Sequence, residues 1–257
     1  MRRLLLLILL ILQRLMPLYS QELFLMTDPA STLPEGAFTI NCFNKINHYE
    51  NSDQLYIPEL SYGLTKKTNL RGSLFFTAHS PSLNGASLMT KIRILSSDGS
   101  NNHYRIAFFG RVSYLNNIYK ENKLEIFGNN SGYELGIIQT KLIEKLAINS
   151  TLSFEQRISE NLNYEKNNPA LNLSLSFGRL IYPKKYTNFK ETNINLMFEI
   201  IGQKPFRKSE FNLNFTPIIQ FIFNSQSRID IAYQREINSI STFKNNYIIF
   251  NFYHIIF

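Results

Sequence analysis

The sequence predicts an all-β protein, a closed antiparallel up-and-down transmembrane β-barrel of about 12 strands. Apolar residues recur with a period of two along the 257-residue chain. Several alternating runs match the ~9 to 11 residues a tilted strand needs to cross hydrocarbon. After the first residues, no stretch offers the 18 or more consecutive apolar residues of a membrane helix. The composition is 44% hydrophobic, 14% aromatic and 18% charged, enough to build a large core and too apolar for a disordered polymer. Twenty-seven Lys and Arg face 19 Asp and Glu, but the basic excess is thin and scattered, which argues against a nucleic-acid partner. Cys42 is the single cysteine, so an internal disulfide and a cysteine-clustered zinc site are excluded.

Arg2 and Arg3 precede an apolar run from Leu4 to Leu12, and small Ser20 follows Leu18 and Tyr19. This order of charged, apolar and small residues predicts a secretory signal over 1–20, cleaved near Ser20. The run is about half of the ~20 residues a spanning helix requires. Residues 21–35, rich in Pro, Ser and Thr, form a segment that either lies on the periplasmic rim or tucks into the lumen as a plug. Residues 36–257 form the barrel.

Strands are placed at 36–43, 54–64, 70–78, 87–95, 102–114, 132–141 and 146–156, and the later ones are the clearest. In the eighth, Leu171, Leu173, Leu175 and Phe177 alternate with Asn172, Ser174 and Ser176. In the ninth, Ile194, Leu196, Phe198 and Ile200 alternate with Asn193, Asn195, Met197 and Glu199. The tenth runs from Phe211 to Asn224 with a greasy face through Phe215, Ile219 and Phe223. Pro217 interrupts it without a backbone donor, so a bulge or irregular register is expected there. The eleventh sets Ile229, Ile231 and Tyr233 against Arg228, Asp230, Ala232, Gln234 and Glu236. The last, 246–257, is apolar on both faces, which leaves open the face that meets lipid.

Connections after odd strands are read as longer than those after even strands. That pattern suits short periplasmic turns and longer outer loops, with Lys66, Lys67, Lys184 and Lys185 in turns and Asn116–Asn130 the longest loop. A soluble sandwich also alternates, but its strands average about five to six residues. In hydrocarbon every backbone polar group must be paired, which a sheet achieves by closing on itself. The 14 tyrosines and 21 phenylalanines supply interfacial girdles.

The segment IPELSYGLTKKTNLRGSLFF, residues 57–76, resembles the strand, turn and strand of transporter barrels related to meta-pathway phenol-degradation proteins. ELFLMTDPASTLPEGAF, FFGRVSYLN, NNSGYELGIIQTKL and NLMFEIIGQ together resemble a group of uncharacterised Bacteroidetes outer-membrane barrel proteins more closely. The resemblance implies a location in the bacterial outer membrane and a porin-like architecture. It brings no functional residues. The ending on Phe257, with Tyr253 and Ile255 at alternate positions, resembles the signal read by the barrel assembly machinery. The expected partners are therefore outer-membrane lipid, that machinery and a small-molecule solute.

Strand parity turns twelve charged residues inward: Glu59, Arg71, Lys91, Arg93, Arg105, Arg111, Glu134, Glu155, Glu199, Arg228, Asp230 and Glu236. Opposite signs on early and late strands are expected to face one another across a narrow lumen. Two readings stay open. The lumen either passes small polar or amphipathic solutes, or is filled by its own salt bridges as a structural or assembly barrel. A lipid-active enzyme is the third reading, and it is disfavoured. None of His48, His79, His103 and His254 has Ser two positions after it, a spacing that would aim both side chains to one side of a strand. No cofactor or metal is expected from dispersed histidines and one cysteine.

Overall fold

The computed structural model describes residues 24–47, 54–77, 80–99, 102–116, 127–128, 130–158, 169–183, 191–206, 209–239 and 246–257. The signal-like residues 1–20, His48, His79, Lys184, Lys185 and most of the 116–130 connection lie outside them. Twelve strands follow in chain order: β1 (Phe38–Asn47), β2 (Gln54–Thr65), β3 (Thr68–Thr77), β4 (Ser80–Asp98), β5 (Asn102–Leu115), β6 (Gly132–Ile143), β7 (Leu146–Arg157), β8 (Pro169–Tyr182), β9 (Asn193–Pro205), β10 (Asn212–Phe223), β11 (Ser227–Asn238) and β12 (Asn246–Ile256). Each pairs antiparallel with its neighbours in sequence. β1 also pairs with β12, from Phe38↔Ile256 to Asn47↔Tyr247, and this closes the barrel. Closure leaves no strand edge with unpaired backbone groups.

The period-two pattern sets the wall. On β11, Ile229, Ile231 and Tyr233 are exposed, whereas Arg228, Asp230, Ala232, Gln234 and Glu236 are buried. Across β4 to β8, Ile92, Phe108, Ile137, Leu152 and Leu173 stand abreast on the outside, all of them exposed. Most buried strand side chains are polar, with apolar clusters among them, while the outward face is apolar, the reverse of a water-soluble protein's surface and the arrangement of a membrane-spanning barrel. Exposed aromatics sit near both ends of the strands: Tyr56, Tyr114, Tyr133 and Phe211 at one rim, and Phe38, Tyr182, Phe223 and Phe257 at the other. Such rings suit the boundary between hydrocarbon and headgroups.

The structure resolves the ambiguous last strand. Ile249, Asn251 and Ile255 are buried inside, and Phe250, Phe252 and Ile256 face outward. The rim that carries both barrel ends has tight turns: Lys66 and Lys67 join β2 to β3, and Glu144 and Lys145 join β6 to β7. The turn after β10 holds Asn224 and Ser225 at positive φ under a bond from Gln226 N to the Phe223 carbonyl at 3.0 Å. Asn tolerates that left-handed backbone, and two such residues match the twist of a hairpin.

Three expectations are corrected. The β3–β4 connection is short, because β4 spans Ser80–Asp98 instead of 87–95. Its polar ends pair with Thr77 and His103 through backbone bonds that require no apolar side chain, so hydropathy under-reads them. β1 likewise extends to Asn47. Pro217 creates no register shift. The β10–β11 ladder passes over Thr216 and Pro217 and resumes at Ile218↔Ala232 in step with Phe215↔Arg235, while the shift falls at Leu213/Asn214.

Candidate functional site in the lumen

Antiparallel register sorts the inward side chains into belts. Glu59, Ser73, Ser87 and Ser113 are cross-strand neighbours on β2 to β5. Arg111, Glu134 and Glu155 follow on β5 to β7, and Ser153, Asn172, Gln203 and Asn212 cross β7 to β10. Short hydroxyl and amide side chains leave room at the axis. A cavity of about 280 Å³ remains, lined by Glu59, Glu134, Ser153, Asn172, Gln203 and Asn212 of these belts and by Phe43, Phe109, Phe127 and Tyr253 among others.

Of the twelve sequence-derived positions, Glu59, Arg71, Lys91, Arg111, Glu134, Glu155, Arg228 and Glu236 line this cavity. Glu59 accepts from Asn41 Nδ2 at 2.6 Å and Ser73 Oγ at 2.8 Å. Glu134 accepts from Ser153 Oγ at 2.6 Å and Arg111 Nη1 at 3.2 Å, and Glu155 accepts from Asn172 Nδ2 at 2.8 Å. Arg228 Nε lies 2.9 Å from Asp230 Oδ2, and its guanidinium sits 4.9 Å above the Tyr253 ring. Asp230 and Glu199 are fully buried. Asp230 accepts from Gln220 Nε2 and Asn251 Nδ2, each at 2.9 Å. Arg105 reaches Asp98 Oδ1 at 3.0 Å. Arg93 lies apart from the cavity, donating to the Lys66 carbonyl at 2.9 Å in the turn.

Residues 24–33 cross the inside of the barrel as a strap. Leu33 N donates to Asn69 Oδ1 at 2.9 Å and Lys91 Nζ to the Pro29 carbonyl at 2.7 Å. Ala30 N donates to Thr140 Oγ1 at 2.8 Å, and Arg105 Nη1 to Ser31 Oγ at 2.9 Å. Arg71 grips Asp28 with two bonds of 2.6 and 3.0 Å. Beyond Asp28 the strap reaches the opposite wall. There Thr27 Oγ1 meets Ser176 Oγ at 2.7 Å, and Glu199 Oε1 accepts Leu25 N and Met26 N at 2.8 and 3.1 Å. Phe24 ends among Phe43, Ile57, Phe75 and Met197. At its other end the strap leans on Gly63, where a Cβ would collide with the Pro34 carbonyl oxygen. Burial disfavours the charged form of Asp28. The Arg71 guanidinium, with Lys91 and Arg111 near, outweighs burial and holds the carboxyl well below the usual carboxylate range.

Opposed charges were expected to meet across the lumen. Among the described residues, three of these charges pair with near neighbours: Arg111 with Glu134 on the adjacent strand, Arg228 with Asp230 on its own strand, and Arg71 with the strap. Adjacent strands lie ~4.8 Å apart, within side-chain reach, whereas a barrel of this strand number is wider than two side chains in line. Sequence parity missed Asp28, which no periodicity marks, and Lys45, which lies 4.1 Å above the Tyr247 ring. Carrying the first strand's alternation two residues past Phe43 would have found Lys45. A third omission is the bond between Ser227 Oγ and His254 Nδ1 at 2.8 Å. These two are cross-strand partners on β11 and β12, invisible to a search for local spacing. The residue opposite His254 on β1 is Ile40, which cannot orient an imidazole as a catalytic third group does. Among the described residues there is no cluster of three metal-ligating side chains.

No known family matches the sequence, and no curated protein does. Solved structures do match the fold. The crystal structure of an outer-membrane channel from Pseudomonas putida F1 superposes with a TM-score of 0.59 at 12% identity, covering 90% of this chain and 100% of that one. The KdgM porin gives 0.49 at 9% identity, over 84% and 98% of the two chains. At these identities the likeness concerns architecture: the chain is similar in fold to a bacterial outer-membrane barrel.

Proposed function

We propose that this chain is a bacterial outer-membrane barrel that passes small polar or amphipathic solutes through a narrow lumen. The observation that carries the reading is a cavity of about 280 Å³, lined by polar and apolar side chains together, inside an apolar outer wall. Such a wall belongs in hydrocarbon, and a polar interior offers hydrogen bonds in place of a solute's hydration shell. The resemblance of residues 57–76 to phenol-degradation-type transporter barrels, and of the longer segments to Bacteroidetes outer-membrane barrels, supports the same placement. On this reading residues 1–20 direct export with cleavage near Ser20, and the strand ending near Phe257 is read by the assembly machinery. The protein is a conduit and not an enzyme.

A filled structural barrel is the second reading, favoured by the strap that crosses the lumen. Swelling of proteoliposomes in small uncharged polar solutes decides between them. Swelling above that of protein-free vesicles is expected, and its absence from folded protein supports the filled barrel.

A further inference from the structure

We propose that the lumen cavity is a binding site for a neutral polyhydroxylated solute of about monosaccharide size, which names the solute class for the conduit reading and rests on it. The charged groups around the cavity are already engaged. Arg71 holds Asp28, Arg111 holds Glu134, and Lys91 donates to the Pro29 carbonyl. Glu59 and Glu155 accept from Asn41 and Asn172. An ionic solute would have to break these pairs or stay uncompensated, and both cost free energy in a desolvated lumen.

Most of the uncommitted atoms belong to uncharged side chains; an exception is Arg228, whose Nη1 has no hydrogen-bond partner although its Nε lies 2.9 Å from Asp230 Oδ2. Among the buried cavity-lining atoms without a hydrogen-bond partner are Asn41 Oδ1, Thr151 Oγ1, Asn172 Oδ1 and Gln234 Oε1. Gln234 is only 4% exposed. These oxygens span half of the strand ring: Asn41 on β1 and Thr151 on β7 occupy opposite positions, with Asn172 on β8 and Gln234 on β11 between them. Each accepts a hydrogen bond, and a buried acceptor left unpaired is destabilising. A ligand that fits must therefore send several donors outward along one side without carrying charge, as the hydroxyls of a sugar ring do. A carboxylate ligand brings acceptors to acceptors at all four of these atoms, and the positive charge of Arg228 is already balanced by Asp230. The C–H faces of a sugar ring are suited to the apolar surfaces of Phe43 and Phe109, which line the same space.

The test is isothermal titration of the detergent-folded full chain with methyl glucoside, and with glucuronate and glucosamine as charged counterparts. Saturable binding of methyl glucoside is expected, with each charged compound at least about tenfold weaker. Thr151→Val with Asn172→Leu should weaken methyl glucoside binding roughly tenfold. Thr151→Val alone, close in shape, should weaken it about threefold and serves if the double variant does not fold. No saturable heat, or a charged compound binding as tightly as the neutral one, overturns the proposal. Liposome swelling is read separately. Swelling without titratable binding removes this site and leaves the conduit, whereas binding without swelling removes the conduit and leaves the site.

Discussion

Replacing Asp28 with Asn removes one partner of the ion pair that holds the middle of the strap. Arg71 meets Asp28 through bonds of 2.6 and 3.0 Å, with 26% and 13% of the two side chains exposed. Removing one member of a fully buried pair costs about 3–5 kcal/mol. Because the guanidinium keeps some solvent, about 2–3 kcal/mol is a fair figure here. That shifts the equilibrium between docked and released strap by roughly thirty- to over a hundredfold toward release. Release is not complete, since the Glu199, Thr140 and Asn69 contacts remain, each about 1 kcal/mol. In planar bilayers the expected outcome is longer or more frequent open events for Asp28→Asn, and a further increase for Asp28→Asn with Glu199→Gln. Arg71→Met combined with Asp28→Asn should open less than the single changes together imply, because the pair then leaves as a unit. If Asp28→Asn and a chain lacking residues 24–33 both conduct like the unaltered protein, the strap does not limit passage and the reasoning fails.

The same ion pair sets a pH response. The folded-state value of Asp28 is depressed, so its contribution is present above the unfolded value of about 4 and is lost only as pH falls through the lower folded one; in a Glu199→Gln background, where the other carboxylate that holds the strap cannot titrate, conductance should therefore stay flat on acidification from neutral to about pH 4, and a rise at about pH 5 or 6 there contradicts the assignment. Asp230→Leu strands the donors of Gln220 and Asn251 and the charge of Arg228, and should lower the urea stability of the folded barrel by about 3–5 kcal/mol. Leu173→Arg on the outer wall should destabilise the barrel in bilayers by about 2–4 kcal/mol, whereas a cost near zero means that this face does not meet lipid. Ser227→Ala should leave fatty-acid release from phospholipid at background; release that depends on this serine would restore a lipid-active reading for the Ser227–His254 pair.

The barrel was legible because its strongest constraint is local. A strand between hydrocarbon and a wet lumen must alternate, so Arg228 to Glu236 declares its inner face with no knowledge of its neighbours. β12 was illegible for the same reason. Ile249 and Ile255 point inward although apolar, because the inner wall there meets other apolar side chains: Ile249 packs in one cluster with Phe43, Tyr247 and Phe24 of the strap. The interior is not uniformly polar, and parity alone does not show where it turns apolar. The ends of β4 were lost because backbone pairing recruited residues whose side chains carry no signal.

The strap explains why the lumen's chemistry could not be read strand by strand. Its sequence, MTDPASTLP, has neither alternation nor helical period. Yet it supplies the partner for Arg71, two backbone donors for Glu199 and an acceptor carbonyl for Lys91. Viewed on the strands alone, Arg71, Lys91 and Glu199 are charges in need of distant partners, which suggests pairing across the lumen. A short non-periodic segment meets that need more economically, because its exposed backbone N–H and C=O groups must themselves be satisfied once inside. The inward charges and the strap are therefore a single device. Any change that frees the strap also strands buried charges, so opening the lumen and destabilising its wall are coupled, and an open state requires water or solute to take over the contacts that the strap relinquishes.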